Sequence, residues 1–104
     1  MITAVVTFKL PQGMTRDQWL ENTKAVSTRF QAVPGLIRKQ FLYSEKGIGG
    51  GVYLWETREA AEACYRGPWL ENVRKASGGN EPDIAWFDTF VVVDNESHQI
   101  KVGA

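Results

Sequence analysis

Apolar and polar side chains alternate from Ile2 to Leu10, with Ile2, Ala4, Val6, Phe8 and Leu10 on one side and Thr3, Val5, Thr7 and Lys9 on the other. A period of two predicts a strand with one strongly apolar face. Pro11, Gln12 and Gly13 end it, and the period changes. Trp19, Thr23, Val26, Phe30 and Val33 recur at spacings of four and three, which predicts an amphipathic helix. Its start is marked by a capping box, Thr15 with Gln18, flanked by Met14 and Trp19 at the staple positions. Pro34 and Gly35 stop it. Leu36 to Tyr43 predict a second strand, and after a turn at Ser44 to Gly47 the glycine-led run Gly49 to Trp55 returns antiparallel to it. Along that run Tyr53 and Trp55 share one face, while Val52 and Leu54 share the other.

Thr57 stands where an N-cap belongs, and a helix is expected from Arg58 to Arg66. Gly67 and Pro68 break it, so Trp69 to Ser77 are expected to continue as a second helical piece at a new angle. Ile84 to Val93 read as one long last strand, with Ile84, Trp86, Phe90 and Val92 on one face and Ala85, Phe87, Val91 and Val93 on the other. The order is β-α-β-β-α-β, an α+β ferredoxin-like fold with its helices on one face of an antiparallel sheet. The other sheet face is left bare. A last strand apolar on both sides needs a second cover, and an identical sheet from a second copy supplies it, so a homodimer packed sheet to sheet is expected.

The chain of 104 residues reads as one domain, 1–94, followed by a polar tail, 95–104. Twelve basic residues balance twelve acidic ones, so no net field draws in nucleic acid or an anionic membrane, and neither is expected as a partner. Cys64 is the only cysteine, which excludes an internal disulfide and a Cys-based metal cluster. No apolar run approaches the length of a membrane span, and MITAVVTFKL lacks a basic signal-peptide start. An unexported, cytoplasmic protein is expected.

Val33-Pro34-Gly35-Leu36, a strand ending Tyr43-Ser44-Glu45-Lys46, the run Gly50-Gly51-Val52-Tyr53-Leu54-Trp55, and Glu59-Ala60-Ala61 opening the next helix together resemble the dimeric α+β barrel proteins. The resemblance is to their small YdhR-like monooxygenase branch, and it runs from the first strand to the last. It implies a pocket between sheet and helices, used in the wider superfamily by cofactor-independent monooxygenases of phenolic or anthrone substrates, by haem degraders, and by isomerases and cyclases. Trp55 matches the tryptophan that ends the third strand in many of these enzymes. Where haem degraders carry an iron-ligating histidine this chain has Tyr65, and the asparagine they need in the first strand is absent from Ile2 to Leu10. Haem degradation of that type is therefore disfavoured, although tyrosinate itself can ligate haem iron.

The expected activity is oxidation of a small aromatic or quinol compound by O2 without a cofactor. Such a substrate must lose a proton, and its anion must be stabilised away from water. Trp55 and Tyr65 are the expected centre of the site, with Tyr53, Trp69 and Trp86 as walls. Arg38 is a candidate to hold an anionic oxygen. Asp88, the one acid on an otherwise apolar strand face, is a candidate buried base. Each has a plain alternative: Trp55 and Trp69 as core anchors, Tyr65 as a helix-face tyrosine with a wet hydroxyl, Arg38 as a solvated charge, Asp88 as an interface carboxylate. One His and one Cys supply no metal site. An isomerase or cyclase of the same fold, or a non-catalytic ligand-binding or stress-response dimer, are the other functions open to this pattern.

Overall fold

The computed structural model describes residues 1–103. Strands β1 (Ile2–Lys9), β2 (Leu36–Ser44), β3 (Ile48–Trp55) and β4 (Asp83–Asp88) form one antiparallel sheet in the order β2-β3-β1-β4. Helix α1 (Arg16–Ser27) links β1 to β2, and α2 (Arg58–Tyr65) with α3 (Pro68–Ala76) link β3 to β4. The two crossovers interleave, which is the α+β ferredoxin-like arrangement expected from the pattern.

Local signals set the helix ends. Gln18 N–H donates to Thr15 Oγ1 (3.2 Å) and Thr15 N–H to Gln18 Oε1 (3.0 Å), closing the capping box. Past Ser27 the chain tightens into a 3-10 turn, Thr28–Ala32, instead of continuing as α-helix toward Val33. Ser27 Oγ donates back to the Lys24 carbonyl (2.9 Å), a local bond that competes with the helical ladder. The tightened turn sets Phe30 edge-on over Phe41 and Tyr53. Gly67, at φ 85°, turns the chain between α2 and α3, and Pro68 opens α3.

The helix-facing side of the sheet carries the core: Ala4, Val6 and Phe8 from β1, Tyr53 and Trp55 from β3, with Ile84 and Trp86 packed against them from β4. Ala4, opposite both Tyr53 and Trp86, is small enough to seat the two rings. One residue of β2 breaks the alternation. Leu36 pairs with Trp55 and Arg38 with Leu54, so Ile37 is bulged out. A one-residue bulge reverses the facing of every later residue in its strand. Lys39 therefore stands opposite Tyr53 on the helix side, and Arg38 opposite Leu54 on the outer side.

The expected long last strand is two strands. Pairing of β4 with β1 ends where Asp88 meets Ile2, and Thr89 N–H takes the Met1 carbonyl (2.9 Å). The chain then leaves the sheet as β5 (Val91–Asp94), which pairs with β6 (Gln99–Val102) inside the segment expected as a polar tail. This hairpin shows Val91, Val93, Ile100 and Val102 to solvent, beside exposed Phe87 and Phe90.

Candidate functional site

Tyr53 and Trp55 point from β3 toward the helices and lie parallel, with ring centroids 5.9 Å apart. Trp55 is fully buried and donates its indole N–H to the Tyr65 hydroxyl on α2 (3.1 Å). At the start of α3, Trp69 donates in the same way to the Tyr53 hydroxyl (3.1 Å). Tyr65 sits edge-on to Tyr53 and Trp55 and touches Trp69 and Trp86. Burial raises both phenols well above the usual tyrosine range, and the indole donors offset only part of that. Neither tyrosine is a base near neutral pH; both remain protonated.

These bonds close the space between Trp55 and Tyr65, where the site was expected. The open volume lies one layer over. A cavity of about 460 Å³ opens between α1 with its 3-10 extension, α3, and the sheet over Gly50. Tyr53 and Trp69 line it; Trp55 and Tyr65 stand behind them and hold them in place. Its other aromatic walls are Phe8, Trp19, Phe30 and Phe41, which sequence reasoning had placed in strand and helix faces without assigning them to a site.

Lys39 enters this cavity because of the bulge at Ile37. Its Nζ lies 3.5 Å from the centroid of Phe30, 3.9 Å from Phe41 and 4.4 Å from Tyr53. Such faces attract an ammonium. The Lys39 stem crosses Gly51, where a Cβ would come within 3.1 Å of its Cε and of the Tyr53 ring. Lys39 makes no ion pair or hydrogen bond with any described residue. Burial disfavours the charged form and lowers its pKa to about 7, against a smaller opposing pull from Cys64.

The remaining candidates lie elsewhere. Arg38 lies in a shallow groove of about 240 Å³ on the outer sheet face, with Thr3, Gln40, Val52, Leu54 and Val92. Asp88, expected as a buried base, is exposed, because it ends β4 where the helices no longer cover the sheet. Trp86 packs on Tyr65, with the Arg58 guanidinium 4.3 Å from its ring centre, outside the cavity. The pair Arg38-Lys39 was legible as two charges on opposite faces; which one turns inward depends on a bulge that no local signal marks.

No family model matches the chain, and no curated protein does. Solved structures do. An antibiotic biosynthesis monooxygenase superposes at TM-score 0.67 with 12% identity, covering 86% of this chain and 98% of its own. The chain has the antibiotic biosynthesis monooxygenase fold. SnoaB, a cofactor-independent oxygenase from Streptomyces nogalater, matches at TM-score 0.63 and 14% identity over 85% of this chain and 91% of its own. MhuD, in a variant with two manganese protoporphyrin IX bound per active site, matches at TM-score 0.66 and 22% identity over 91% of this chain and all of its own, 100%. For a bound porphyrin metal, the cavity walls here offer no histidine, cysteine or methionine. Tyr53 is held protonated and engaged by Trp69, so it does not offer the tyrosinate that could ligate haem iron.

Proposed function

We propose that this chain is a homodimeric, cofactor-independent monooxygenase of the YdhR-like branch, oxidising a small phenolic or quinol compound with O2 in the cavity beside Tyr53, Trp69 and Lys39. The observation that carries it is the cavity: about 460 Å³, walled by six aromatic rings, in an enzyme-bearing fold. That volume is in the range of small-molecule sites. SnoaB, named a cofactor-independent oxygenase, shares the fold and supports the reading.

The reaction needs no electron carrier. The substrate loses a proton, its anion passes electrons to O2, one oxygen atom ends on carbon as a carbonyl and the other leaves as water. The chain holds a planar substrate against Tyr53 and Trp69, excludes water with its aromatic walls, and offers polar groups where charge develops. Trp55 and Tyr65 are positioning residues.

Oxygen uptake by purified protein freed of metal and flavin tests the reading, with anthrones, hydroquinones and dihydroxynaphthalenes as substrates. Uptake above the spontaneous rate is expected, falling about tenfold or more in Trp69→Phe, which loses the N–H held by Tyr53. No uptake with any compound would overturn it. An isomerase or cyclase is the second reading, favoured by a lysine poised to exchange protons in the cavity; its turnover would persist without oxygen.

The dimer forms through the outer sheet face. Val52 lies half-buried on that face of β3, and Phe87, Phe90, Val91, Val93, Ile100 and Val102 are exposed apolar side chains of β4, β5, β6 and their connections. Apolar side chains exposed in this number call for a cover, and a self-complementary second copy provides one. Residues 1–94 are then the barrel-forming domain, and 95–104 a tail whose strand β6 lies at the seam. Sedimentation is expected to give twice the chain mass, and Val93→Glu with Ile100→Glu to give monomers. A wild-type monomer at micromolar concentration would refute it. No helix among the described residues is long and apolar enough to cross a membrane. The cytoplasmic location is part of this proposal and rests on a chain with a single cysteine and hence no internal disulfide.

A further inference from the structure

The cavity is one-sided in charge. Arg29, Lys39 and Lys75 line it, and none of its lining residues is an aspartate or glutamate, although acids and bases balance over the whole chain. None of the three cations forms an ion pair with a described residue, whereas Lys24, Arg58 and Arg74 are each paired on the surface. Arg29 and Lys75 are exposed at the mouth, on the 3-10 turn and on α3. Lys39 alone lies inside, caged by the faces of Phe30, Phe41 and Tyr53. A caged amine with no acceptor, in an aromatic cavity that contains no acid, lacks a counter-ion.

We propose that a planar aromatic ligand carrying an acidic hydroxyl supplies that counter-ion: it binds in this cavity as its phenolate or enolate, with Lys39 Nζ taking the hydroxyl proton and remaining beside the oxygen as an ammonium. This rests on the reading of the cavity as the substrate site. The ligand O–H bond breaks, its electron pair stays on oxygen, and the proton forms the third N–H bond of the ammonium. The transfer leaves the net charge of the complex unchanged. It replaces a neutral amine and a neutral phenol by an ion pair; scarcity of water opposes each charge taken singly, and the close contact of the two charges with the ring faces around the cation offsets that cost.

The groups around Lys39 support this direction of transfer. On the 3-10 turn and α3 the charged neighbours are Arg29 and Lys75, both positive and both favourable to an anionic ligand. On β3 the facing group is Tyr53, kept protonated by burial. On α2 it is Cys64, whose thiol burial also pushes up, the Lys39 charge opposing. No group in this set competes as a base. Burial leaves the amine of Lys39 close to half deprotonated at neutral pH, ready to accept. The ligand ring then lies against Tyr53 and Trp69, and its oxygen at the end of the Lys39 stem.

The probe is 4-nitrophenol, whose phenolate absorbs in the visible and whose phenol does not. At a pH a little below the probe's own pKa in water, where part of Lys39 is still free amine, adding excess protein is expected to strengthen the phenolate band. 4-Nitroanisole, the same ring without the acidic proton, is expected to bind about tenfold or more weakly by competition. Lys39→Met, which keeps the stem over Gly51, is expected to abolish the strengthening while retaining the wild-type circular dichroism; Lys24→Met is the control that leaves it unchanged. A bound probe that stays phenolic would overturn the proposal. So would undiminished strengthening in Lys39→Met, equal affinity for 4-nitroanisole, or no binding of either probe. The readout does not use oxygen, so a strengthened phenolate band without oxygen uptake would retire the oxygenase and keep this assignment, and uptake without the strengthening would do the reverse.

Discussion

Replacing Gly50 by alanine is expected to cost about 4 kcal/mol or more, enough to leave most of the chain unfolded at physiological temperature. Gly50 has φ 151°, a backbone state that L side chains rarely adopt, and a Cβ there would come 1.9 Å from the Val6 carbonyl oxygen on β1. That oxygen belongs to the sheet backbone, so it has nowhere to retreat without breaking the pairing of Val6 and Thr7 with Gly51 and Gly50. Gly13→Ala is the comparison: φ is also positive, at 83°, but nothing lies within 4 Å of the new Cβ, and a loss of about 1 kcal/mol is expected. Thermal melts of both variants against wild type decide the matter. A Gly50→Ala protein melting within a few degrees of wild type would show that the strand can shift. Because Gly50 also forms part of the cavity floor, the same residue that lets β3 pass Val6 keeps that floor free of side chains.

Lys39→Met is expected to stabilise the protein while removing its ability to ionise a phenol. The sign comes from linkage. The folded pKa is about 7 and the ordinary value is 10.5, so between these pH values the unfolded chain binds more protons than the folded one. The wild type therefore gains stability as pH rises from about 7 to about 10.5, and below about 7 it carries the whole cost of a buried ammonium. The three rings return part of that cost, roughly 1–2 kcal/mol. A net gain of about 2 kcal/mol at pH 6 is expected for methionine, or roughly 10 °C in melting temperature for a domain of this size. The gain should shrink steadily toward pH 10. Melts are run at one protein concentration, since association shifts them too. Equal melting of the two proteins at pH 6, or a gain independent of pH, would mean the amine is solvated.

What the sequence revealed, it revealed through local chemistry. The capping box at Thr15 and Gln18, the Thr57 cap and the Gly67-Pro68 break act within a few residues, and each helix they open starts where expected. The pairing of Tyr53 and Trp55 on the helix-facing side came from alternation alone, and so did the α+β ferredoxin-like order. Apart from the 3-10 turn after Ser27, the misplacements depend on partners distant in sequence. Where β4 ends is set by the reach of β1, which also exposes Asp88 and turns Val91 to Val102 into a hairpin. Trp55 and Tyr65 do meet, as expected, but their hydrogen bond fills the space between them. The opening beside Tyr53 depends on how α1 and α3 splay over the glycines of β3, a spacing that no single segment encodes.

The bulged Ile37 has a consequence for how this site tunes acidity. Of two adjacent cations, it sends the guanidinium, which never gives up its proton, to the outer face, and turns inward the amine, whose proton affinity its surroundings can adjust. Strict alternation from Leu36 would have reversed them and left a permanent positive charge in the aromatic cage. One extra residue in one strand thus separates a chamber that can trade protons from one that can only hold an anion.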